Sequence, residues 1–156
     1  MGSLQRRRSL ANYEALAELR YQIRRFLRFS EQAARKASLE PRQHQLMLAL
    51  KGLPRGTRPR IAELAERMQI EHHSTVELVK RLAKRGYVRR QPGEDRREVL
   101  LNLTAKGEKV LRHLSLHHQD ELRTRGPALV AALERVMRNQ GAANLRRISA
   151  GKAKVR

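Results

Sequence analysis

The chain of 156 residues contains no cysteine and no tryptophan, and its only aromatic residues are three tyrosines and two phenylalanines. Without cysteine it cannot form a disulfide, a thiolate metal site or a thiol nucleophile. No apolar run reaches ~18 residues, so we expect no transmembrane helix. The basic first residues are not followed by an apolar stretch of ~7–15 residues, so we expect no secretion signal and predict a cytoplasmic protein.

Acidic residues are scarce, because 15 Asp and Glu face 35 Lys and Arg and leave a formal net charge of +20. Such a surplus makes a polyanion such as nucleic acid the expected partner. The excess is uneven: residues 1–60 carry a net +10, residues 61–103 only +2 and residues 104–156 a net +8. Nucleic-acid contacts in the middle third would therefore depend on individually placed side chains, within a field supplied mostly by the two ends.

An apolar stripe near the start of the chain predicts a long helix. Leu16, Leu19, Ile23 and Leu27 recur at three- and four-residue steps, which indicates a helix over about residues 10–36. Such a helix is roughly 40 Å long and exceeds the width of its own small domain. Its stripe must pack on something besides the local core, and a second copy of the chain is the simplest candidate.

The middle of the chain has the order helix, tight turn, helix and β-hairpin. Helical spacing of apolar residues predicts the two short helices, at about 61–68 and 73–85. Alternating residues then predict strands at 87–91 and 98–103 around a turn. This order is that of a winged helix-turn-helix, so we predict a mainly α fold with a small β-hairpin wing, of the α+β class.

The second short helix carries residues expected to contact DNA, because a B-DNA major groove is ~12 Å wide and admits one α-helix. Its apolar residues must face the core, which leaves His73, Glu77 and Arg81 outside. Ser74 and Thr75 near its N-terminus can donate to phosphates or base edges. Glu77 can pair with Arg81 at i, i+4 or accept a hydrogen bond from cytosine N4. The alternative is a solvated helix face with ordinary ion pairs.

The hairpin predicts a second contact with DNA. Its first strand carries Arg89 and Arg90, and Arg96 and Arg97 follow its turn. Arginine suits a narrow, electronegative minor groove because its planar guanidinium is weakly hydrated. Asp95 cannot bind a phosphate, so we expect it to pair with Arg96 or Arg97 and to order the turn. The alternative is a charged surface hairpin without a ligand.

Five short runs of this region carry a family resemblance. They are IAELAERM at 61–68, HHSTVELVKRL at 72–82, GYVRR at 86–90, DRR at 95–97 and LTAKG at 103–107. In this ordered set the chain closely resembles the MarR (multiple antibiotic resistance regulator) transcription factors. The resemblance implies an obligate homodimer that binds a pseudo-palindromic operator and usually represses. It also implies that residues 73–85 enter the major groove and that Asp95, Arg96 and Arg97 reach the minor groove.

The resemblance further implies a possible small-molecule effector, because many MarR proteins bind small aromatic acids between the dimerisation helices and the winged domain. Residues of suitable type in those segments are Tyr13, Arg20, Tyr21, Arg24, Phe26, Phe29 and His44. Dimer packing explains their spacing equally well, so we assign no ligand-binding residue.

Two histidines on the last helix raise the question of a metal site. His113 and His117 are spaced i, i+4, which can place two imidazoles on one metal ion, and some MarR relatives sense zinc. Such pairs on a polar helix face usually bind nothing. We therefore predict no metal and no cofactor.

Together these patterns divide the chain into five segments. A disordered basic arm (1–9) precedes a helical dimerisation region made of residues 10–37 and 104–140. The DNA-binding winged domain occupies residues 38–103, and a disordered basic tail (141–156) follows.

The last helix has a predicted start and a predicted interruption. The Thr104 hydroxyl can cap its first turn by accepting from a backbone N–H. Gly126-Pro127 predicts a break or a kink, because proline lacks the N–H that an inner helical turn requires.

Two other classes of function compete with a sequence-specific regulator. An architectural DNA- or RNA-binding protein would use the same basic field and tails without preferring a sequence. An enzyme is disfavoured, because the sequence contains neither a glycine-rich phosphate loop nor a nucleophile elbow.

Overall fold

A computed structural model describes residues 2–152, and it describes side chains over residues 13–138. The elements in chain order are α1 (Gly2–Lys36), α2 (Pro41–Lys51), α3 (Ile61–Met68), α4 (His72–Lys84), β1 (Val88–Pro92), β2 (Val99–Leu103) and α5 (Ala105–Lys152). This order confirms the predicted mainly α fold with a β-hairpin. Helices α1 and α5 extend over residues 2–9 and 141–152 of the segments expected to be a disordered basic arm (1–9) and tail (141–156), whose side chains lie outside the described range.

The described chain divides into two units, which we call the helical unit (1–29 and 119–156) and the winged unit (30–118). These boundaries lie inside the segments that the sequence assigned to dimerisation. The reason is packing: Ala33 and Ala34 of α1, and Leu111 and Leu114 of α5, are buried in the core of the winged unit. The ends of the two long helices therefore complete this core.

The core of the winged unit is formed by side chains from α2, α3, α4 and β2. Those fully removed from solvent are Leu46, Met47, Leu64, Thr75, Val79, Leu82 and Leu101. Burial of each large apolar side chain contributes roughly 1.5–3 kcal/mol to folding. Since α4 supplies both Val79 and Leu82 to this core, packing fixes which of its faces points to solvent.

The sheet of the winged unit is an antiparallel hairpin in which Val88 pairs with Leu103 and Pro92 pairs with Val99. The Leu101 N–H donates to the Pro59 carbonyl at 2.9 Å, so the segment before α3 lies along the free edge of β2. This edge contact attaches the hairpin to the body of the unit.

Local signals for helix starts are confirmed at two places. Pro41 opens α2, where the Gln43 side chain accepts from the Glu40 N–H at 3.1 Å. The Thr104 hydroxyl accepts from the Gly107 N–H at 3.1 Å, as the sequence predicts. Between α3 and α4, Gln69 adopts a left-handed conformation (φ 52°), which closes the tight turn.

Of the break or kink predicted at Gly126-Pro127, the break does not occur, because α5 continues through Pro127. A proline inside a helix removes one backbone hydrogen bond and costs about 3 kcal/mol. Residues beyond it, including Ala132 and Val136, are buried within the helical unit. Their packing offsets that cost and keeps the helix continuous.

A buried histidine lies in the winged unit. His44 is 2% exposed, and neither of its ring nitrogens has a hydrogen-bond partner among the described residues. Its ring centroid is 4.9 Å from that of His118, whose Nε2 is 2.8 Å from the Ser30 hydroxyl. Burial, and secondarily the charge of His118, lowers the pKa of His44 from 6.5 to about 4.

Acid is therefore expected to destabilise the winged unit through His44. Because the pKa is about 4 in the folded protein and 6.5 in the unfolded chain, the unfolded chain binds the proton more readily between these values. The stability that neutral His44 provides is complete above about pH 6.5 and is lost as the pH falls toward 4, by up to roughly 3 kcal/mol. Denaturant unfolding as a function of pH measures this loss.

The matched variants are His44→Leu and, at an exposed position of α5, His113→Leu. His44→Leu removes the titrating ring together with its unsatisfied nitrogens, so its unfolding free energy should fall less steeply in acid. His113→Leu should keep the acid sensitivity of the native chain. Equal pH profiles for native protein and His44→Leu would contradict the assignment.

Candidate nucleic-acid interface

Helix α4 presents its N-terminal end to solvent. It begins after Glu71, which is extended and provides no side-chain cap. The first amides of a helix have no partner within the helix and favour an anion at that end. His72 and His73 are exposed beside these amides. This end of α4 can therefore receive a phosphate.

The exposed face of α4 holds most of the predicted contact residues. His73, Glu77 and Arg81 are exposed, and Ser74 is partly exposed. Thr75 differs: it is fully buried, and its hydroxyl donates to the Glu71 carbonyl at 3.1 Å. The assignment of Thr75 to the DNA contacts is therefore corrected, because its side chain is inside the core.

The spacing of residues along α4 could have predicted that Thr75 is buried in the core. Thr75, Val79 and Leu82 are separated by four and three residues, which is the spacing of one helical face. A threonine can occupy such a face, since its hydroxyl bonds to the carbonyl four residues earlier and its methyl group packs.

Glu77 pairs with a different residue from the one predicted. Its carboxylate lies 2.7 Å from the Lys80 ammonium, whereas Arg81 forms no ion pair among the described residues. The hydrogen bond and the charge of Lys80 lower the pKa of Glu77, with smaller contributions from Arg81 and Arg90. Lys80 thus compensates the acid on the exposed face, and the guanidinium of Arg81 stays available.

The turn of the wing, residues 93–98, is ordered by backbone contacts. Asp95 Oδ1 accepts from the Arg97 N–H at 3.0 Å. Asp95 forms no ion pair among the described residues, so it orders the turn through the backbone instead of through the predicted guanidinium pair. Arg96 and Arg97 are exposed, and neither forms an ion pair within the described range.

The two arginines of β1 face opposite sides of the hairpin. Side chains alternate along a strand, so Arg89 and Arg90 cannot share one face. Arg90 is near enough to α4 to lower the pKa of Glu77. Arg89 instead lines a groove with Lys51, Arg55 and Asn102. The structure therefore brings Arg90, but not Arg89, to the α4 side.

Sequence reasoning missed a charged cluster at the base of the wing. The Glu98 carboxylate lies 3.0 Å from the Arg58 guanidinium and 3.7 Å from that of Arg60. The partners are about forty positions apart in the chain. No local pattern predicts such a contact.

Within the described side chains, no group of three or more His, Asp or Glu residues could hold a metal ion. The histidine pair His113 and His117 is exposed. In the helical unit, a small cavity lined by Phe26 and Leu129 has a volume of about 20 Å³, which is room for roughly one water molecule. No helix within the described range is long and apolar enough to cross a membrane.

The geometry defines a class of protein. Two short helices at a tight turn, followed by a basic hairpin whose strand is supported at its edge, form a winged helix-turn-helix.

A family model described as MarR family matches residues 37–98. Solved structures of MarR-family transcriptional regulators share the fold of this chain. AbsC from Streptomyces coelicolor is 20% identical, with a TM-score of 0.63 over 84% of this chain and 88% of that chain.

Two similar structures contain DNA. A MepR mutant of Staphylococcus aureus bound to an oligodeoxyribonucleotide is 18% identical, with a TM-score of 0.59 over 89% of this chain and 96% of that one. The transcriptional repressor CouR, bound to a 23-mer DNA duplex, is 26% identical, with a TM-score of 0.58 over 76% and 87%. A comparison with curated proteins gives no match.

The burial of Thr75 gives a direct test of the corrected interface. Thr75→Val removes only the bond to the Glu71 carbonyl, so it should lower the free energy of unfolding by about 1 kcal/mol and leave DNA affinity unchanged. Ser74→Ala, one residue earlier and partly exposed, should instead weaken DNA binding with little loss of stability. Thermal unfolding and DNA titration of both variants separate these effects. A loss of affinity in Thr75→Val alone would restore the original assignment.

Proposed function

We propose that this chain is a sequence-specific transcriptional repressor that binds double-stranded DNA as a homodimer, on a pseudo-palindromic operator. The observation that carries the proposal is the wing, where Arg96 and Arg97 are exposed beyond a turn that Asp95 orders. Guanidinium groups without internal partners, held on an ordered turn, suit insertion into a narrow minor groove.

Helix α4 supplies the second contact. His73, Ser74 and Arg81 lie on its solvent face, and a helix of this size fits the major groove. Arg90 of β1 is on the same side. We assign base recognition to the α4 residues, and contacts with the minor groove or the backbone to the wing.

Similarity to DNA-bound structures supports this assignment. The MepR mutant and CouR were both solved with DNA, and they share the fold over at least three quarters of this chain. The described geometry and the match to the MarR family model over residues 37–98 both support DNA as the ligand.

The homodimer is inferred from apolar surface on the helical unit. Tyr13 is 67% exposed and Met137 is 62% exposed, and further exposed apolar side chains accompany them. The others in this unit are Leu16, Tyr21, Ile23, Leu27, Leu122, Val130 and Leu133. Apolar surface of this extent on one unit marks a protein interface, and an identical helical unit offers a matching apolar face.

Release of DNA by a small aromatic acid remains part of the proposal, as a property that the family resemblance implies. We also propose a cytoplasmic location, where DNA is accessible, and no enzymatic activity. These three properties are inferred from the resemblance to the MarR family. We assign neither an effector nor residues that bind one.

A non-sequence-specific binder of DNA or RNA is the second candidate, and the net charge of +20 favours it. Both candidates lose affinity steeply as salt rises, so salt dependence does not separate them. The ratio between affinity for a selected site and affinity for random DNA does.

Selection from a random DNA pool is expected to yield a site bound ~1000-fold more tightly than random DNA. On that site, Arg96→Ala and Arg97→Ala should each lower affinity roughly tenfold, because each removes a groove-facing guanidinium. Arg112→Ala is the matched control, since Arg112 is an exposed arginine of α5 without an ion pair in the described range. It should change affinity much less. Unchanged affinity in both wing variants would contradict the wing assignment.

The dimer has its own test on α5. Leu133→Glu places a charge on the exposed apolar face and should yield a monomer in sedimentation velocity, with weaker operator binding. Ala131→Glu adds the same charge about 200° around the helix and should stay dimeric. A native chain that sediments as a monomer would refute the homodimer and leave the DNA contacts to be judged separately.

A further inference from the structure

Glu98 is an acid within a surface that must face a polyanion. Its side chain is only 11% exposed, and it closes the end of the wing turn. The Gly93 N–H donates to the Glu98 carbonyl at 2.8 Å, and the Glu98 N–H donates to the Asp95 carbonyl at 2.9 Å. Glu98 therefore ties the two ends of the turn together through its backbone.

The Glu98 carboxylate reaches out of the wing to the segment before α3. Its Oε2 is 3.0 Å from Arg58 Nη2, and its Oε1 is 3.7 Å from Arg60 Nη1. Arg60 in turn lies 3.6 Å from Glu63 in the first turn of α3. A charged chain thus joins the wing to the helix-turn-helix.

The two arginines flank a tight turn centred on Pro59, in which the Arg60 N–H donates to the Arg58 carbonyl at 2.8 Å, and both guanidinium groups reach the Glu98 carboxylate. Pro59, between them, accepts from the Leu101 N–H at 2.9 Å and fixes the segment against β2. The arginines are therefore held beside the wing turn in the free protein. Oε2 of Glu98 is buried and accepts no hydrogen bond among the described residues, so its charge depends on the ion pair with Arg58.

The wing needs such an anchor. A hairpin of two strands has little stability of its own in water. Beyond the last pair, Pro92 with Val99, the described contacts of the turn are its own short backbone bonds, the Glu98 pair and a weak, exposed ion pair between Glu94 and Arg58. The Glu98 side chain is 11% exposed and that of Arg58 is 43% exposed, so salt screens this pair less than one between two fully exposed groups.

We propose that Glu98 is a positioning residue for DNA recognition: its carboxylate, held by Arg58 and Arg60, fixes the wing turn at the orientation in which Arg96 and Arg97 enter the groove. The inference rests on the proposed DNA-binding function. Glu98 does not touch DNA, and it acts through the arginines of the wing.

Neutralising Glu98 should change DNA affinity in the direction opposite to that expected from charge alone. Removing an acid near DNA should strengthen binding if only charge matters, because repulsion with the phosphates falls. Glu98→Gln keeps the size of the side chain and removes the charge that holds Arg58 and Arg60. We expect it to weaken binding to the selected operator about fivefold or more, since the wing arginines then lose their fixed orientation.

Glu94→Gln is the matched control. Glu94 belongs to the same turn, but its side chain is 93% exposed and lies 4.0 Å from Arg58. It loses the same charge without loosening the anchor, so its affinity should stay equal to that of the native chain or rise. Glu98→Asp retains the charge on a shorter stem and should recover part of the affinity. Equal or tighter binding by Glu98→Gln, in parallel with Glu94→Gln, would overturn the proposal.

A double-mutant cycle distinguishes positioning from general loss of structure. Adding Arg97→Ala to Glu98→Gln should cost much less affinity than Arg97→Ala costs in the native chain, because the two residues act through one contact. Additive losses, with an unchanged melting temperature, would show that Glu98 does not act through the wing arginines.

Amide hydrogen exchange in the free protein tests the anchor without DNA. In Glu98→Gln, the amides of Gly93 and Glu98 should exchange faster than in Glu94→Gln, while amides of α4 stay protected. Equal exchange in the two variants would overturn the proposal whatever the affinity for DNA. If the native chain prefers no DNA sequence but the exchange difference is found, the proposed function fails and the anchor stands.

Discussion

The arrangement of the winged unit depends on burial of apolar side chains from three short helices and one strand. Leu64, Val79 and Leu101 come from α3, α4 and β2, and all are fully buried in a single cluster. None of these elements is long enough to be stable alone, since isolated helices shorter than about 12–15 residues and two-stranded hairpins are marginal in water. The core therefore decides which face of α4 is presented, and it does so in a chain whose surplus of positive charge opposes compaction.

Short-range ion pairs then determine which positive groups remain free. Lys80 compensates Glu77 on α4, and Arg58 and Arg60 compensate Glu98 at the wing. The net charge of the chain is consequently a poor guide to its recognition surface. The groups proposed to contact DNA are those that the internal acids leave uncompensated, and their positions are set by the acids nearby.

Sequence periodicity predicted the elements of the winged unit, because the apolar spacing of each short helix reports local geometry directly. Sequence periodicity gave wrong or missing predictions where the structure depends on packing or on residues far apart in the chain. Thr75 was assigned to the surface on residue type, although its spacing to Val79 places it in the core. Pro127 predicted an interruption that the packing of α5 overrides. The Glu98 cluster unites residues far apart in sequence, and the Asp95 contact with a backbone N–H depends on a turn geometry that composition alone does not specify.

The close approach of Gly93 to Glu98 couples the evolution of these two positions. A Cβ atom at position 93 would overlap the carboxylate and the Cβ of Glu98, so any side chain there displaces the acid. A substitution at Gly93 therefore also disturbs the proposed positioning role of Glu98. Neither position can accept substitutions independently of the other. Mutations at the two sites should be epistatic, and descendants of this sequence that keep the acid should keep the glycine.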